Sequence, residues 1–486
     1  MIGICRSAHA VCAFSLLIVA ISPVMADDKI EKKLLDEIKQ SGFPSLSVGV
    51  VRGDGLVYSK ALRIADRAAK RDATPETLYR IGSISKVFTA TLLAVLRDQE
   101  VVRLDDPVAK YLPADAKLPT DPRGAAAITL RHLATHSSGL PRQPINLKAK
   151  NGDPYGGYSP EQLIEGLKTT KLAFPTGADC IYSNLGVGLL GHALERAAKD
   201  SYDKLLQKHI FEPLGMKSSD VRLNDDLKRN FAVGYEEKDA EKVAVDWDLG
   251  ALAPAGGIAS NVPDLAKFLS LQLKAGQADV KPIRGGTLTE LHTPQRILND
   301  WRLGVGLGWH ISHDAKLGDI VWHNGGMAGY HSYMAFVTEK NIGVIVLTNR
   351  GISVDELGRW LLGAAIATYA GKTEPKAGDD GKVDPAMKKI ADELAKHLVP
   401  EPADALGELF TPEFKAEIPV DALKKVFAGI ARRNGACRGV KTITMGRTAQ
   451  EAEVLFQFDG EKTARALVTL NGGDPPLIAG LLFPPK

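Results

Sequence analysis

Tyr79-Arg80-Ile81-Gly82-Ser83-Ile84-Ser85-Lys86-Val87-Phe88-Thr89-Ala90 is the stretch on which the reading of this chain turns. Val87, Leu92, Val95 and Leu96 recur at helical spacing, so a helix with an apolar face starts near Ser83. Ser83 and Lys86 are three residues apart and share one face of its first turn. A serine hydroxyl is a poor nucleophile until something removes its proton. A lysine desolvated beside it has a lowered pKa and can serve as that base. The helix N-terminus adds N–H groups and the positive end of the dipole, which favour a nearby oxyanion. S-x-x-K alone is a weak signal. Ser201-Tyr202-Asp203-Lys204 repeats it and reads better as an amphipathic surface helix.

Two further motifs stand with Ser83. Tyr182-Ser183-Asn184 is the only Y-x-N in the chain, between the turn Phe174-Pro175-Thr176-Gly177 and a helix carrying Leu189, Leu190 and Leu194. A phenol whose pKa is lowered by a nearby lysine can shuttle a proton between nucleophile, leaving group and water. Asn184 can present its amide to a substrate carbonyl and to Lys86. His323-Asn324-Gly325-Gly326 holds the only H-x-G, just before a hairpin. Its glycines allow close backbone approach to a substrate. The N–H groups of Ser83 and Gly326 are the expected oxyanion hole.

Around these motifs the pattern predicts an α+β fold. Residues 29–42 have helical spacing. Leu46, Val48 and Val50 alternate as a strand, Arg52-Gly53-Asp54-Gly55 turns, and Leu56-Val57-Tyr58 returns. A second hairpin spans 331–348 around Glu339-Lys340, and a long helix follows over 354–369. The middle, 84–300, is mostly helical pattern and loop. Strands at both ends with helices between predict one antiparallel sheet, flanked by N- and C-terminal helices, with an inserted helical subdomain.

Length and composition agree. The 486 residues carry 61 Lys+Arg and 58 Asp+Glu, with 44% hydrophobic and 24% charged residues. This is a globular mixture, without the basic surplus of a nucleic-acid binder. Residues 1–26 read as a secretory signal: an apolar run over 11–21, then Val24-Met25-Ala26 before Asp27-Asp28. The run is too short to span a bilayer. The mature protein is therefore expected to be periplasmic or secreted, with no stable membrane insertion. Cys5 and Cys12 leave with the signal. Cys180 and Cys437 remain, Cys180 as a small packed residue, with pairing between the two a minor alternative. Residues 27–371 form the main domain, 372–383 a Gly/Pro-rich linker, and 384–486 a small unit. In that unit, helices over 385–398 and 420–433 precede strands over 453–458 and 465–470, joined at Asp459-Gly460. His132 and His136 have metal-compatible spacing, but Leu133 stands where a zincin needs Glu, so they read as structural histidines.

The three motifs resemble the serine β-lactamase and penicillin-binding protein superfamily, in its class C β-lactamase and D,D-carboxypeptidase branch. Ser83-Ile84-Ser85-Lys86 looks like its S-x-x-K and Tyr182-Ser183-Asn184 like its Y-x-N. His323-Asn324-Gly325 stands in the place of its K-T-G, in an H-x-G form. The stretches 128–140, 211–216 and 255–260 also look familiar, and the resemblance covers about residues 30–370. It implies that Ser83 attacks an amide, lactam or ester carbonyl, with Lys86 and Tyr182 as proton carriers. Asn184, His323 and Gly325 would then bind substrate. It implies no metal and no cofactor. The expected partners are small molecules or peptides, such as a peptidoglycan stem peptide, a β-lactam or an ester, and no nucleic acid. The departure at His323 matters, because histidine is positive only below about pH 6.5 unless its pKa is raised. Lys316-Leu317-Gly318 is a nearby K-x-G without the glycine pair and ranks below it. Three readings stay open: a hydrolase of D-Ala-D-Ala-type peptides or β-lactams, an esterase, and a penicillin-binding sensor that hardly turns over. The C-terminal unit resembles small NTF2-like domains, and no residue set in it reads as catalytic.

Overall fold

Strand alternation in the first unit leaves both faces of a sheet apolar. On β1 (Ser45–Arg52), Leu46, Val48 and Val50 join one buried cluster and Val51 joins another. Ile342–Thr348 does the same, with Val344 and Val346 on one side and Ile345 and Leu347 on the other. A sheet apolar on both faces has to be covered on both. The helix Pro23–Ser41 contributes Ile30, Leu34 and Ile38 to the first face, and Asp355–Tyr369 contributes Leu357, Leu361 and Leu362. The other face receives the helical segments from the middle of the chain.

A computed structural model describes residues 23–120, 126–278, 280–298, 303–370, 385–445, 451–471 and 475–483. The chain divides near residue 371 into two compact units. In the first, the strands after β1 are β2 (Gly55–Asp66), β3 (Arg71–Asp72), β4 (Tyr79–Arg80), β5 (Ala259–Ser260), β6 (Arg296–Ile297) and β7 (Leu303–Val305). Then come β8 (His310–Asp314), β9 (Gly318–Met327), β10 (Tyr330–Val337) and β11 (Ile342–Thr348). Nine of them form one antiparallel sheet in the order β3-β2-β1-β11-β10-β9-β8-β7-β6, while β4 and β5 pair as a separate ribbon. The two halves of the sheet come from opposite ends of the unit and join where Val48 faces Val346. This mixed architecture with a large antiparallel sheet is the predicted one.

Some elements differ from expectation. His323-Asn324-Gly325-Gly326 does not precede the hairpin as a loop; it lies inside β9, with His323 opposite Met334 and Gly325 opposite Ser332 on β10. Of the strands β6 to β8, β6 falls in the stretch expected to be helical pattern and loop, and β7 and β8 lie where no element is expected. They are short, and β8 carries four polar residues, His310, Ser312, His313 and Asp314, so periodicity has little to register there. The proposed signal cleavage falls within the helix Pro23–Ser41, and residues 1–22 lie outside the described residues. The expected linker over 372–383 also lies outside them.

The second unit has helices Pro385–Lys396, Pro412–Glu417 and Val420–Asn434 and a four-stranded antiparallel sheet. Its sheet order follows the chain: Cys437–Met445, Glu451–Phe458, Thr463–Leu470, Ile478–Leu482. The hairpin at Asp459-Gly460 is present, with Gly460 at φ 65°, in the left-handed region open to glycine. Met387, Leu394, Phe427, Val454, Phe456 and Val468 form its core. Among the described residues, no helix is long and apolar enough to cross a membrane.

Candidate active site

The site is built where a short 3-10 turn, Gly82–Ile84, runs into α1 (Ser85–Asp98), taking that label for the helix that bears the site. Every residue of α1 from Ser85 to Leu96 is buried. That fixes the axis of the helix, and hence Lys86, inside the protein rather than on its surface. Ser332 Oγ on β10 donates to Ile81 O at 2.8 Å and so ties the start of the turn to the sheet.

Gly325 makes the close approach of β9 possible. A Cβ there would stand 2.0 Å from Ile81 O, 2.5 Å from Ser332 Oγ and 2.9 Å from Ser83 N. Gly82, at φ +51°, is the matching glycine, because a Cβ on it would lie 2.9 Å from Gly326 N. The Gly82-Ser83 backbone and the Gly325-Gly326 strand therefore touch with no side chain between them. Ser83, Asn184, Ala255, Gly326 and Trp247 line one cavity.

Lys86 is 1% exposed, and its Nζ lies 3.1 Å from Ser83 Oγ and 2.5 Å from Ala255 O. No carboxylate is among its partners. An unpaired buried ammonium is costly on the scale of tens of kcal/mol, so the group sheds its proton instead. Burial, helped by the positive charge of Arg142, holds the Lys86 amine well below the usual lysine value.

Tyr182 stacks into the same space. Lys86 Nζ is 4.7 Å from its ring centroid, and Ser83 lies near enough to its hydroxyl to favour the ionised form. The expected lowering of its pKa by lysine does not occur. Burial pushes the phenol up, and the lysine meant to lower it is itself held uncharged. Asn184 starts the helix Asn184–Ala198, whose cap is Ser183: the Ser183 Oγ accepts from Gly186 N at 2.8 Å. The expected contact between Asn184 and Lys86 is not made. Lys86 is engaged by Ser83 and Ala255, and Asn184 Oδ1 is left buried without a hydrogen-bond partner.

His323 is the largest departure. It is 1% exposed, its Nδ1–H donates to Asn324 O at 2.6 Å, and its Nε2 has no partner. Burial first, then His310 and Lys86, holds this imidazole well below the usual histidine value. It is therefore neutral, with its ring 6.2 Å from Tyr182 and 4.9 Å from His310. The alternative, Lys316, is exposed on the β8–β9 turn, about 20 Å along the strand from His323.

The structure thus brings Ser83, Lys86, Tyr182, Gly325 and Gly326 together, with Asn184 on the wall and His323 behind it. Sequence reading passed over two neighbours, His310 and Arg142, and took a third, His136, as a structural histidine. His136 stacks on Tyr182 at 4.5 Å and accepts from Ser183 N at its Nδ1. His310 lies 6.3 Å from the Tyr182 ring, and Arg142 lies 5.0 Å from it. His310 and Arg142 come from segments distant from Tyr182 in sequence, so no local pattern marks them. The remaining decoys have structural partners. His132 closes a capping box with Thr129, Ser201 and Lys204 lie at a short helix, and Lys204 pairs with Asp200. Cys180 and Cys437 are free thiols, and burial pushes the Cys180 thiol up to about 11.

A family model described as Beta-lactamase matches residues 28–368, most of the chain. The chain belongs to the β-lactamase family. This β-lactamase-family chain is similar to D-alanyl-D-alanine-carboxypeptidase/endopeptidase AmpH of Escherichia coli K12. The two are 30% identical over 348 residues, covering 68% of this chain and 85% of the relative. It is also similar to a β-lactamase of the same strain, 26% identical over 68% of this chain and 90% of that protein. Among solved structures, a β-lactamase/D-alanine carboxypeptidase from Yersinia pestis complexed with citrate superposes with a TM-score of 0.61. It is 26% identical and covers 71% of this chain and 99% of the other. Membership in the β-lactamase family makes the protein a hydrolase of the serine type. The family match ends before the C-terminal unit.

Proposed function

We propose that the protein is an exported serine acyl hydrolase acting on amide or lactam bonds, with D-Ala-D-Ala-type peptides or β-lactams as substrates. One observation carries this reading: Ser83 Oγ lies 3.1 Å from a lysine whose pKa burial holds well below the usual lysine value. A neutral amine has a lone pair for the serine proton.

In this reading Ser83 Oγ attacks the carbonyl carbon while its proton passes to Lys86 Nζ. The oxyanion is held by the N–H groups of Ser83 and Gly326. Tyr182, a neutral phenol, gives its proton to the leaving nitrogen as the C–N bond breaks, and Lys86 restores that proton. Water then attacks the acyl-enzyme, its proton returns through the same groups, and Ser83 is released. Asn184 Oδ1, without a partner among the described residues, is free to accept from a substrate N–H.

Export rests on the apolar run over residues 11–21 and the small-residue site after it. The helices followed by a four-stranded sheet support reading the C-terminal unit as an NTF2-like accessory domain. A second reading, an esterase for another acyl substrate, is favoured by the neutral imidazole of His323 where a cation would select a carboxylate.

The test is intact mass after incubation with a penicillin, for wild type and Ser83→Ala, together with hydrolysis of a β-lactam, a D-Ala-D-Ala peptide and a nitrophenyl ester. A covalent adduct lost in Ser83→Ala is expected. Ester turnover alone would favour the esterase. A stable adduct without turnover would identify a penicillin-binding sensor. No adduct and no turnover would remove the assignment.

A further inference from the structure

His136 grips the chain on both sides of Tyr182. Its carbonyl oxygen accepts from Ile181 N at 3.0 Å, and its Nδ1 accepts from Ser183 N at 3.2 Å. The two N–H groups that flank the tyrosine are thus bound by one residue. Between those bonds the imidazole stacks on the phenol ring, with the centroids 4.5 Å apart. Neighbouring bonds extend the contact: Gly177 N donates to Ser137 O at 2.8 Å, and Ser183 Oγ donates to Pro141 O at 2.7 Å.

The backbone at His136 is not one that its own residue type favours. The helix Leu130–Ala134 ends at Thr135, and His136 then takes φ +58°, in the left-handed region. A residue with a Cβ is strained there, and glycine would remove the strain. The position instead holds a histidine, 3% exposed, whose ring reaches Tyr182. The bond from Ser183 N needs a lone pair on Nδ1, which a neutral imidazole protonated at Nε2 supplies. Burial first, then the charges of Lys86, His310 and Arg142, opposes protonation of this ring and keeps that lone pair.

We propose that His136 is the positioning residue of Tyr182: it fixes the backbone and the ring of the tyrosine so that the phenol hydroxyl meets the leaving atom. The inference rests on the reading above, in which Tyr182 gives its proton to the leaving nitrogen. His136 acts through Tyr182 rather than on the substrate. An amine leaves poorly unless it is protonated as the C–N bond breaks, whereas a thiolate leaves as the anion. Loss of His136 therefore penalises amides and lactams and largely spares thiolesters, so the residue tunes the site for nitrogen leaving groups.

The test uses two donors with one acyl group: an N-acyl-D-Ala-D-Ala peptide and the N-acyl-D-Ala thiolester of thioglycolate. Both form the same acyl-Ser83, so their kcat/KM values differ only in the departing group. They are measured for wild type, Tyr182→Phe, His136→Phe and His136→Asn. Phenylalanine keeps a ring against Tyr182 but has no acceptor for Ser183 N. Asparagine tolerates the left-handed backbone and offers its Oδ1 to that N–H. The peptide-to-thiolester ratio is expected to fall by roughly tenfold in His136→Phe, to fall further in Tyr182→Phe, and to recover in part in His136→Asn. Each ratio is internal to one sample, so a misfolded fraction does not move it, and a merely structural role would lower both donors alike. A wild-type ratio in His136→Phe, with a lowered one in Tyr182→Phe, would overturn the positioning role and leave Tyr182 as the proton donor. A wild-type ratio in Tyr182→Phe would remove the proton-donor reading and the positioning role with it. No turnover of either donor by wild type would remove the hydrolase reading on which both stand.

Discussion

Lys86 Nζ stands 3.1 Å from Ser83 Oγ with only 1% of the lysine exposed. The two residues are one helical turn apart, but proximity alone would leave a charged surface lysine. Burial of the whole first turn of α1 disfavours the charged form and lowers the lysine pKa well below its usual value.

Removing the amine should therefore separate activity from stability. Lys86→Met takes away the base and the buried polar group together. We expect activity to fall by about 10²–10⁴. Thermal stability should hold or rise, because the methionine no longer needs a hydrogen-bond partner in the core. Ester or β-lactam hydrolysis and a melting curve on the same sample check both. A variant that melts well below wild type would show that the lysine supports the fold.

Acid should destabilise the protein in a defined window. His136, His292, His310 and His323 are buried, and burial lowers each below the usual value, His310 to about 4 and His292 to about 3. In the unfolded chain each takes up a proton as the pH falls through about 6.5, whereas in the folded chain it does not until much lower. The unfolded state then binds more protons between about pH 6.5 and 4, so stability falls as pH falls. Each such imidazole costs about 2 kcal/mol at pH 5. Calorimetry from pH 8 to 5 should show Tm dropping steeply below pH 6.5, with a shallower slope in His292→Gln. A flat profile would contradict the buried neutral state.

The glycine pair on β9 should respond asymmetrically. Alanine at 325 meets Ile81 O at 2.0 Å and forces the strand off the Ser83 turn. We expect Gly325→Ala to lose most activity and about 1–3 kcal/mol of stability. At Gly326 the nearest atom to an added Cβ is on His331, at 3.6 Å, an ordinary contact. Gly326→Ala should melt within a few degrees of wild type. Equal destabilisation of the two variants would argue against the close packing of β9 on Gly82.

The outer face of the sheet should be separable from the chemistry. Leu361 is fully buried on the helix that covers that face, in the cluster away from Ser83. Leu361→Ala should cost about 2–5 kcal/mol, seen as an earlier urea midpoint. The kcat of the folded fraction should stay at the wild-type level. A fall in kcat at full folding would mean that the two faces are coupled.

Much of this was legible in advance because it is periodic or local. Alternation at Leu46, Val48 and Val50 and the 339–340 turn marked two central hairpins, and helical spacing from Val87 marked α1. Ser83 and Lys86 could be paired because three residues along a helix is a fixed geometry. Short polar strands near the sheet edge, such as His310–Asp314, escaped because they bury little, and their pairing is decided by the neighbours rather than by their own pattern.

The amino-acid sequence by itself determined the order of the elements, the motifs and the turn that holds Ser83 beside Lys86. Tertiary structure alone decided the charge states. Whether Lys86, Tyr182 and His323 carry charge depends on the water and counter-ions around them, and those are set by segments far apart in the chain: α1, the Tyr182 loop and β9. It also left Arg142 beside Tyr182 without an ion pair among the described residues, because pairing is a matter of which carboxylates the fold brings within reach.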